Sequence, residues 1–379
     1  MKVTFPHMGN ILIYKKLLES FGHEVIAPPR PSQRTIDLGV KYSPEFACFP
    51  YKVLLGSYIE ALELGADTVV TSGGSGPCRA GFYSEIHYKT LQHLGFNPRF
   101  IVFDDYGRNP RQFRNNLKII KGRLTWAQAL QRVWTTYRLA EALDNLQRQV
   151  ELKRCYEVNR GSFNQAFNVI CNRFVREVNH VGDVRRIWRE SNELVNSIPC
   201  RPTPEQRKIH VGIVGEIYVV MESAINMNIA EVLNNLGCEV TRSMYISEWV
   251  NHCIYPKCFA NKSGAKLVRD SRPYIEIGIG GHEQHNIGNI IKYKNRHFDG
   301  VIHLMPFACL PELVTQSILP RLSQDLELPV LSLAIDEQTG RANSLTRIEA
   351  FVELIRSIKR QSISLKQGDL QYEQGLFRG

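Results

Sequence analysis

No apolar run approaches the roughly 18–20 residues that a membrane-spanning helix needs. The opening residues, Met1 to Asn10, carry no long apolar segment of the signal-peptide kind. The expectation is a soluble, cytoplasmic protein with no membrane partner. The chain has no Cys-x-x-Cys pair, the local arrangement that tight zinc sites usually show. It has no Gly-Lys-Ser/Thr phosphate loop and no complete dinucleotide fingerprint, so ATP binding by this chain itself is not expected. Zinc-finger spacing, RNP-like aromatic motifs and heptad zippers are also missing, and nucleic acid is not an expected partner. Its nine cysteines are an odd number in a chain of 379 residues, far too long for a disulfide-stapled miniprotein. In a reducing compartment they read as thiols or metal ligands.

Charge is concentrated rather than scarce. The net charge is +10, and the stretch 106–200 holds 17 Lys/Arg against 8 Asp/Glu, which gives 17 − 8 = +9. That segment is either a solvated helical face or a docking surface for an acidic partner or an anionic ligand such as a CoA tail. Strand and helix patterns alternate on either side of it, which implies parallel sheets. The fold class expected is α/β, with two Rossmann- or flavodoxin-like lobes, mostly parallel sheets and a helical insertion domain. Residues 1–105 form the N-terminal lobe with strands at Lys2–Phe5, Glu24–Ile26, Asp67–Thr71 and Phe100–Phe103. Residues 106–205 form the basic helical insertion, with helices over Ala127–Leu146 and Phe163–Asn179. Residues 206–361 form the C-terminal lobe, with strands at His210–Val214, Glu239–Arg242, Val301–Leu304 and Val330–Ile335 and a closing helix over Ile348–Arg360. The polar, glycine-containing residues 362–379 read as a flexible tail.

The lobes echo each other in sequence. Phe21-Gly22-His23-Glu24-Val25 resembles Leu236-Gly237-Cys238-Glu239-Val240, and Phe46-Ala47-Cys48-Phe49-Pro50 resembles Phe307-Ala308-Cys309-Leu310-Pro311. Each of the latter cysteines precedes a proline by two residues, and a helical pattern follows. Proline suits a helix's first turn, so each cysteine is expected at a helix start, where free backbone N–H groups favour negative charge and lower a thiol's pKa. A third cysteine ends the loop Ser72-Gly73-Gly74-Ser75-Gly76-Pro77-Cys78-Arg79, between a strand and a helix at the carboxyl edge of the sheet. Its glycines, Gly74 and Gly76 among them, allow close backbone approach to a ligand. Arg79 is a candidate to offset cluster charge, to grip an anion, or to form a surface salt bridge. Cys48, Cys78 and Cys309 read as three similar strand-to-helix turns that converge where the lobes meet. Three thiolates leave a [4Fe–4S] cube with one open iron, or hold zinc with a water.

Other candidates surround this set. Gly278-Ile279-Gly280-Gly281-His282-Glu283-Gln284-His285 is a glycine-rich turn that offers His282 as a cluster neighbour or proton donor, or as a turn histidine. Glu216 follows a strand and reads either as a proton shuttle in the crevice or as a helix cap. His303 reads as structural. Asp104, Asp105, Asp336 and Glu337 read as turn caps, and Cys155, Cys171, Cys200 and Cys238 as packing residues.

With these motifs the chain resembles the D-component side of the 2-hydroxyacyl-CoA dehydratase superfamily, which includes double-cubane cluster proteins and the short CoA protein activases. The carriers are Ala47-Cys48-Phe49-Pro50-Tyr51-Lys52, Gly74-Ser75-Gly76-Pro77-Cys78-Arg79, Val214-Gly215-Glu216-Ile217, Gly280-Gly281-His282 and Pro306-Phe307-Ala308-Cys309-Leu310-Pro311-Glu312. The resemblance implies an oxygen-sensitive [4Fe–4S] cluster on Cys48, Cys78 and Cys309. It implies electrons from a separate ATP-hydrolysing activator that carries its own [4Fe–4S] cluster, and assembly as a homodimer or with a related subunit. The function implied is low-potential electron transfer for reductive or radical chemistry on an acyl-CoA or a small molecule. As an enzyme the chain would be a dehydratase-like lyase or a double-cubane reductase. Some longer relatives have a cysteine where Ser75 stands. A double cubane needs further ligands, for which Cys253 and Cys258 are the candidates. The alternatives are a non-catalytic cluster-carrying accessory or maturation protein, and a metal-free module for an anionic ligand.

Overall fold

The computed structural model describes the backbone of residues 1–73, 78–104, 109–253 and 262–376, and the side chains of these except 252–263 and 362–376. Gly74, Gly76, Asp105 and Cys258 lie outside the described residues, as does the side chain of Cys253. Two α/β lobes are present. The first runs β1 (Lys2–Thr4), α1 (Leu12–Ser20), β2 (Glu24–Val25), α2 (Gln33–Tyr42), α3 (Phe49–Glu63), β3 (Thr68–Thr71), α4 (Tyr83–His93), β4 (Arg99–Val102) and α5 (Pro110–Lys121). The helices α6 (Trp126–Lys153), α7 (Ser162–Glu177) and α8 (Val181–Ser197) follow. The second lobe runs β5 (Ile209–Gly215), α9 (Ile217–Met221), α10 (Ile229–Asn235), β6 (Cys238–Arg242), α11 (Ile246–Cys253), α12 (Lys262–Ser271), α13 (Glu283–Lys294), β7 (Gly300–Pro306), α14 (Leu310–Asp325), β8 (Val330–Ile335) and α15 (Arg341–Leu376).

Among the described residues the strands form two four-stranded sheets, ordered β2-β1-β3-β4 and β6-β5-β7-β8, with every pair parallel. Both are the same doubly wound order, and each reverses direction between its first and third strands. Side chains following the carboxyl ends of those strands therefore face a crevice. The first sequence echo is structurally equivalent: Glu24–Val25 is β2, paired with Lys2 and Val3, and Cys238–Arg242 is β6, paired from Ile209 onward. The second echo is not. Cys48 lies between two helices, α2 and α3, and α3 leads into the third strand. Cys309 follows the third strand of its own lobe. Cys78, which follows β3, is the true counterpart of Cys309. The pentapeptides match because both encode a helix start with proline in the first turn, and that local instruction does not specify a place in the sheet.

The helices before the third strand pack as a tight pair in each lobe. A Cβ on Gly56 of α3 would meet the Thr35 carbonyl at 1.9 Å, and one on Gly288 of α13 would meet that of Leu267 at 2.3 Å. Only glycine permits backbones so close. Helix α3 is buried on nearly every side, Lys52 and Glu60 included.

The region 106–200 divides between neighbours. Ile120 of α5 packs with Val3, Phe5, Leu18, Val70 and Ile101 of the first lobe, and Asn116 donates to the Val102 carbonyl at 3.0 Å. Leu139, Leu143, Leu146 and Val150 of α6 instead share one continuous apolar core with Ile13, Phe49 and Val53 of the first lobe and Val211, Ile213 and Ile302 of the second. The long helix is thus a beam between lobes. The sequence pattern failed to mark α5 and α8 because their apolar positions are sparse among charged residues. The C-terminal helix also runs further than expected. Its backbone continues from Arg341 to Leu376, where a flexible tail from residue 362 was expected, since Gly368 and Gly375 each cost only about 1 kcal/mol in a helix and no proline follows. No described helix is long and apolar enough to cross a membrane.

Candidate functional site

Four helix starts meet where the lobes touch. Cys48 is the N-cap of α3, Cys78 the N-cap of the short turn Arg79–Phe82 that leads into α4, Cys309 the N-cap of α14, and His282 the N-cap of α13. Cys48 and Cys309 are buried and Cys78 is half-buried. Arg79 joins the two lobes. Its guanidinium donates to the Phe46 carbonyl at 2.6 Å, two residues before Cys48, and to the Ala308 carbonyl, immediately before Cys309. Arg79 thereby acts as a backbone clamp, and its charge also acts on Cys48 and Cys78. Ala308 has φ 62°, a left-handed conformation that an alanine adopts at a cost.

Burial decides the charge state of the thiols. Desolvation raises all three, and for Cys309 the neighbouring carboxylates of Glu216 and Glu312 add to it. The expected lowering by helix N-termini is outweighed: the Ala80 amide donates to Cys78 Sγ at 3.3 Å, but burial dominates. Cys48 Sγ shares a hydrogen bond with the Tyr83 hydroxyl. The charge of Arg79 pulls Cys48 and Cys78 down, but by less than burial raises them, so all three thiols are held above the ordinary cysteine value.

The charge of Glu216 acts on all three cysteines and disfavours their thiolates. It caps α9, accepting from the Val219 amide at 3.1 Å. Burial pushes it up to about 7 against the pull of that amide and of Tyr218, with the charge of Glu312 adding to the rise. Both readings of Glu216 therefore meet in one residue: it is a cap, and it is a buried carboxyl poised to change protonation near neutrality.

Beneath Cys309 lies a fully buried polar network. Glu312 accepts from His303 Nε2 at 2.7 Å and from Asn286 Nδ2 at 2.9 Å, and Asn286 Oδ1 accepts from the Gly215 amide at 3.1 Å. His303 Nδ1 meets Ser332 Oγ at 3.0 Å. Glu312 was legible only as a residue of the last motif, and its role was missed because its partners, Asn286 and His303, stand on two other elements, α13 and β7.

The glycine-rich turn is filled by its own side chain. The Glu283 carboxylate accepts from the amides of Ile279 at 2.6 Å, Gly280 at 3.2 Å and Gly281 at 2.9 Å. Asp104 does the same for the loop after β3, taking the Gly73 amide at 2.7 Å. Asp336 caps its turn through the Gln338 amide and Thr339 hydroxyl, whereas Glu337 pairs with Lys52 across the lobes. A further crossing joins His7 Nδ1 to Glu222 at 2.9 Å. Cys171 and Cys238 are buried packing residues and Cys155 is half-buried. Cys200 is exposed, because it sits in the isolated bridge to Glu157 at the surface.

Among the described residues no three His, Cys, Asp or Glu side chains are gathered tightly enough to hold one metal ion. No protein-family model matches the chain, and no curated protein matches it.

Proposed function

We propose that the chain is an iron–sulfur redox protein, with a [4Fe–4S] cluster held between the lobes by Cys48, Cys78 and Cys309. The observation that carries this reading is the Arg79 clamp, which ties the turns of Cys48 and Cys309 to its own neighbour Cys78. The donor set fits the group. A cube spreads its thiolates over separate irons, so ligands need not gather about a point, as they must for a lone zinc ion. Three buried or half-buried thiols near a buried carboxyl are an unfavourable set to ionise with Arg79 as the one neighbouring cation acting on them, and a cluster's irons would supply further positive charge.

The cluster supplies one-electron chemistry when bound. The chain's own residues hold it away from water, fix the lobes around it, and offer Glu216 as a group able to give or take a proton beside it. By resemblance to the 2-hydroxyacyl-CoA dehydratase superfamily, electrons come from an ATP-hydrolysing activator, and the substrate is an acyl-CoA or a small molecule.

The test is iron, acid-labile sulfide and EPR on protein made and purified without oxygen, beside Cys309→Ser. About four irons per chain, lost in the variant, supports one cube. About eight points to a double cubane and brings in Cys253 and Cys258. No iron, or zinc alone, overturns the reading and leaves a two-lobed binding protein.

A further inference from the structure

Connectivity pairs the site residues of the two lobes in a way their local sequences conceal. Helix α3 leads into β3 as α13 leads into β7, and α4 follows β3 as α14 follows β7. The second pair starts from Cys78, the N-cap of the short turn Arg79–Phe82 that leads into α4, and from Cys309, the N-cap of α14. The N-cap residues of the first pair are Cys48 and His282. Three of these four equivalent positions hold the proposed thiolate ligands, and the fourth holds an imidazole.

Contacts bring the fourth position to the same place. Gly281, next to His282, lies against the first turn of α14: a Cβ there would stand 2.4 Å from the side chain of Pro311, two residues beyond Cys309. Glu283, on the other side of His282, acts electrostatically on Cys78. Its carboxylate, tied to three amides of the turn, fixes the backbone that carries the imidazole. In the first lobe the matching helix starts meet through Cys48 and Tyr83, and through the rings of Tyr51 and Tyr83 at 5.2 Å. Arg79 then joins the two corners.

We propose that His282 is the fourth protein ligand of the cluster, its imidazole occupying the iron that three thiolates leave open. The inference rests on the cluster reading above. Imidazole nitrogen is an established iron donor, and replacing thiolate with it raises a cluster's potential. A cluster closed by His282 is an electron carrier in its resting form, and exposes iron to a substrate only when that imidazole leaves. His285, whose ring lies 6.4 Å from that of His282, is the competing imidazole.

The experiment uses the full chain, loaded with iron and sulfide without oxygen, reduced with dithionite, and labelled with ¹⁵N-histidine for pulsed EPR. A directly coordinated histidine nitrogen is expected in the unmodified protein and in His285→Ala, and is lost in His282→Ala. Iron and sulfide in His282→Ala stay at the unmodified level, because three thiolates remain. His282→Cys keeps the cluster, loses the nitrogen coupling and has a lower potential. Should His282→Ala lose iron as well, restoration of the iron without the nitrogen signal in His282→Cys assigns the position. A loaded cluster with no histidine coupling, or coupling that survives in His282→Ala, overturns the proposal while leaving the cluster in place. A chain that takes up neither iron nor sulfide overturns the cluster itself.

Discussion

The two lobes share a strand order and a pattern of helix starts, yet fill the ground beneath their sites differently. In the first, aromatic groups do so: Tyr51 stacks on His87 at 4.1 Å, and Tyr58 bonds Thr71 at 2.8 Å. In the second, His303, Glu312 and Asn286 form a buried hydrogen-bonded network. One scaffold thus carries a floor of stacked, stiff rings on one side and a hydrogen-bonded polar floor on the other. Rings offer packing area with few degrees of freedom. A buried network specifies geometry through hydrogen bonds and is costly when any member is lost.

The largest expected contrast is in acid. Each lobe holds a histidine that burial pulls down: the buried His87 from 6.5 to about 3, and the half-buried His210 from 6.5 to about 4. Folded, both stay neutral; unfolded, both take up protons below about 6.5. Their contribution is therefore complete above that pH and is lost as pH falls, over by about 4 for His210 and by about 3 for His87. At roughly 1.4 kcal/mol per unit the totals are about 3 and about 5 kcal/mol. Urea midpoints measured from pH 7 to pH 3 should show the steeper loss removed by His87→Gln, which retains a donor for the Tyr51 carbonyl. An unchanged slope would mean that His87 charges without penalty.

Next in size is the contrast between floors. Glu312→Ala leaves His303 and Asn286 buried without their shared acceptor, at an expected cost of about 3 kcal/mol. In the first lobe, Tyr58→Phe removes one hydroxyl bond and should cost about 1 kcal/mol. Equal losses in urea unfolding would show that the network is no more demanding than a single bond. The smallest effect is expected at the seam. Ala308→Gly relieves a left-handed alanine but adds freedom to the unfolded chain, for a net gain of about 0.5 kcal/mol. A loss would show that the alanine methyl contributes more than its backbone costs.

Much of this was legible residue by residue. Cysteine followed two positions later by proline and then by a helical pattern marks a helix N-cap, and both Cys48 and Cys309 are N-caps. Alternating strand and helix patterns mark parallel sheets, and both sheets are parallel. The equivalence drawn between Cys48 and Cys309 was wrong because near-identical short segments encode the same local turn wherever the chain places it. Tyr83 carried no signal at all: its hydroxyl reaches Cys48 only because α3 and α4 lie side by side.

The sequence by itself determined the α/β class, the strand positions and the helix starts, since these rest on periodicity, proline and glycine acting over a few residues. Only the tertiary structure decided which helix starts correspond, that Arg79 clamps two carbonyls 262 positions apart in the chain, Phe46 and Ala308 (308 − 46 = 262), and that burial outweighs the helix ends in setting the thiols. Those outcomes depend on distances between segments and on exclusion of water, and neither quantity exists until the lobes have closed on each other.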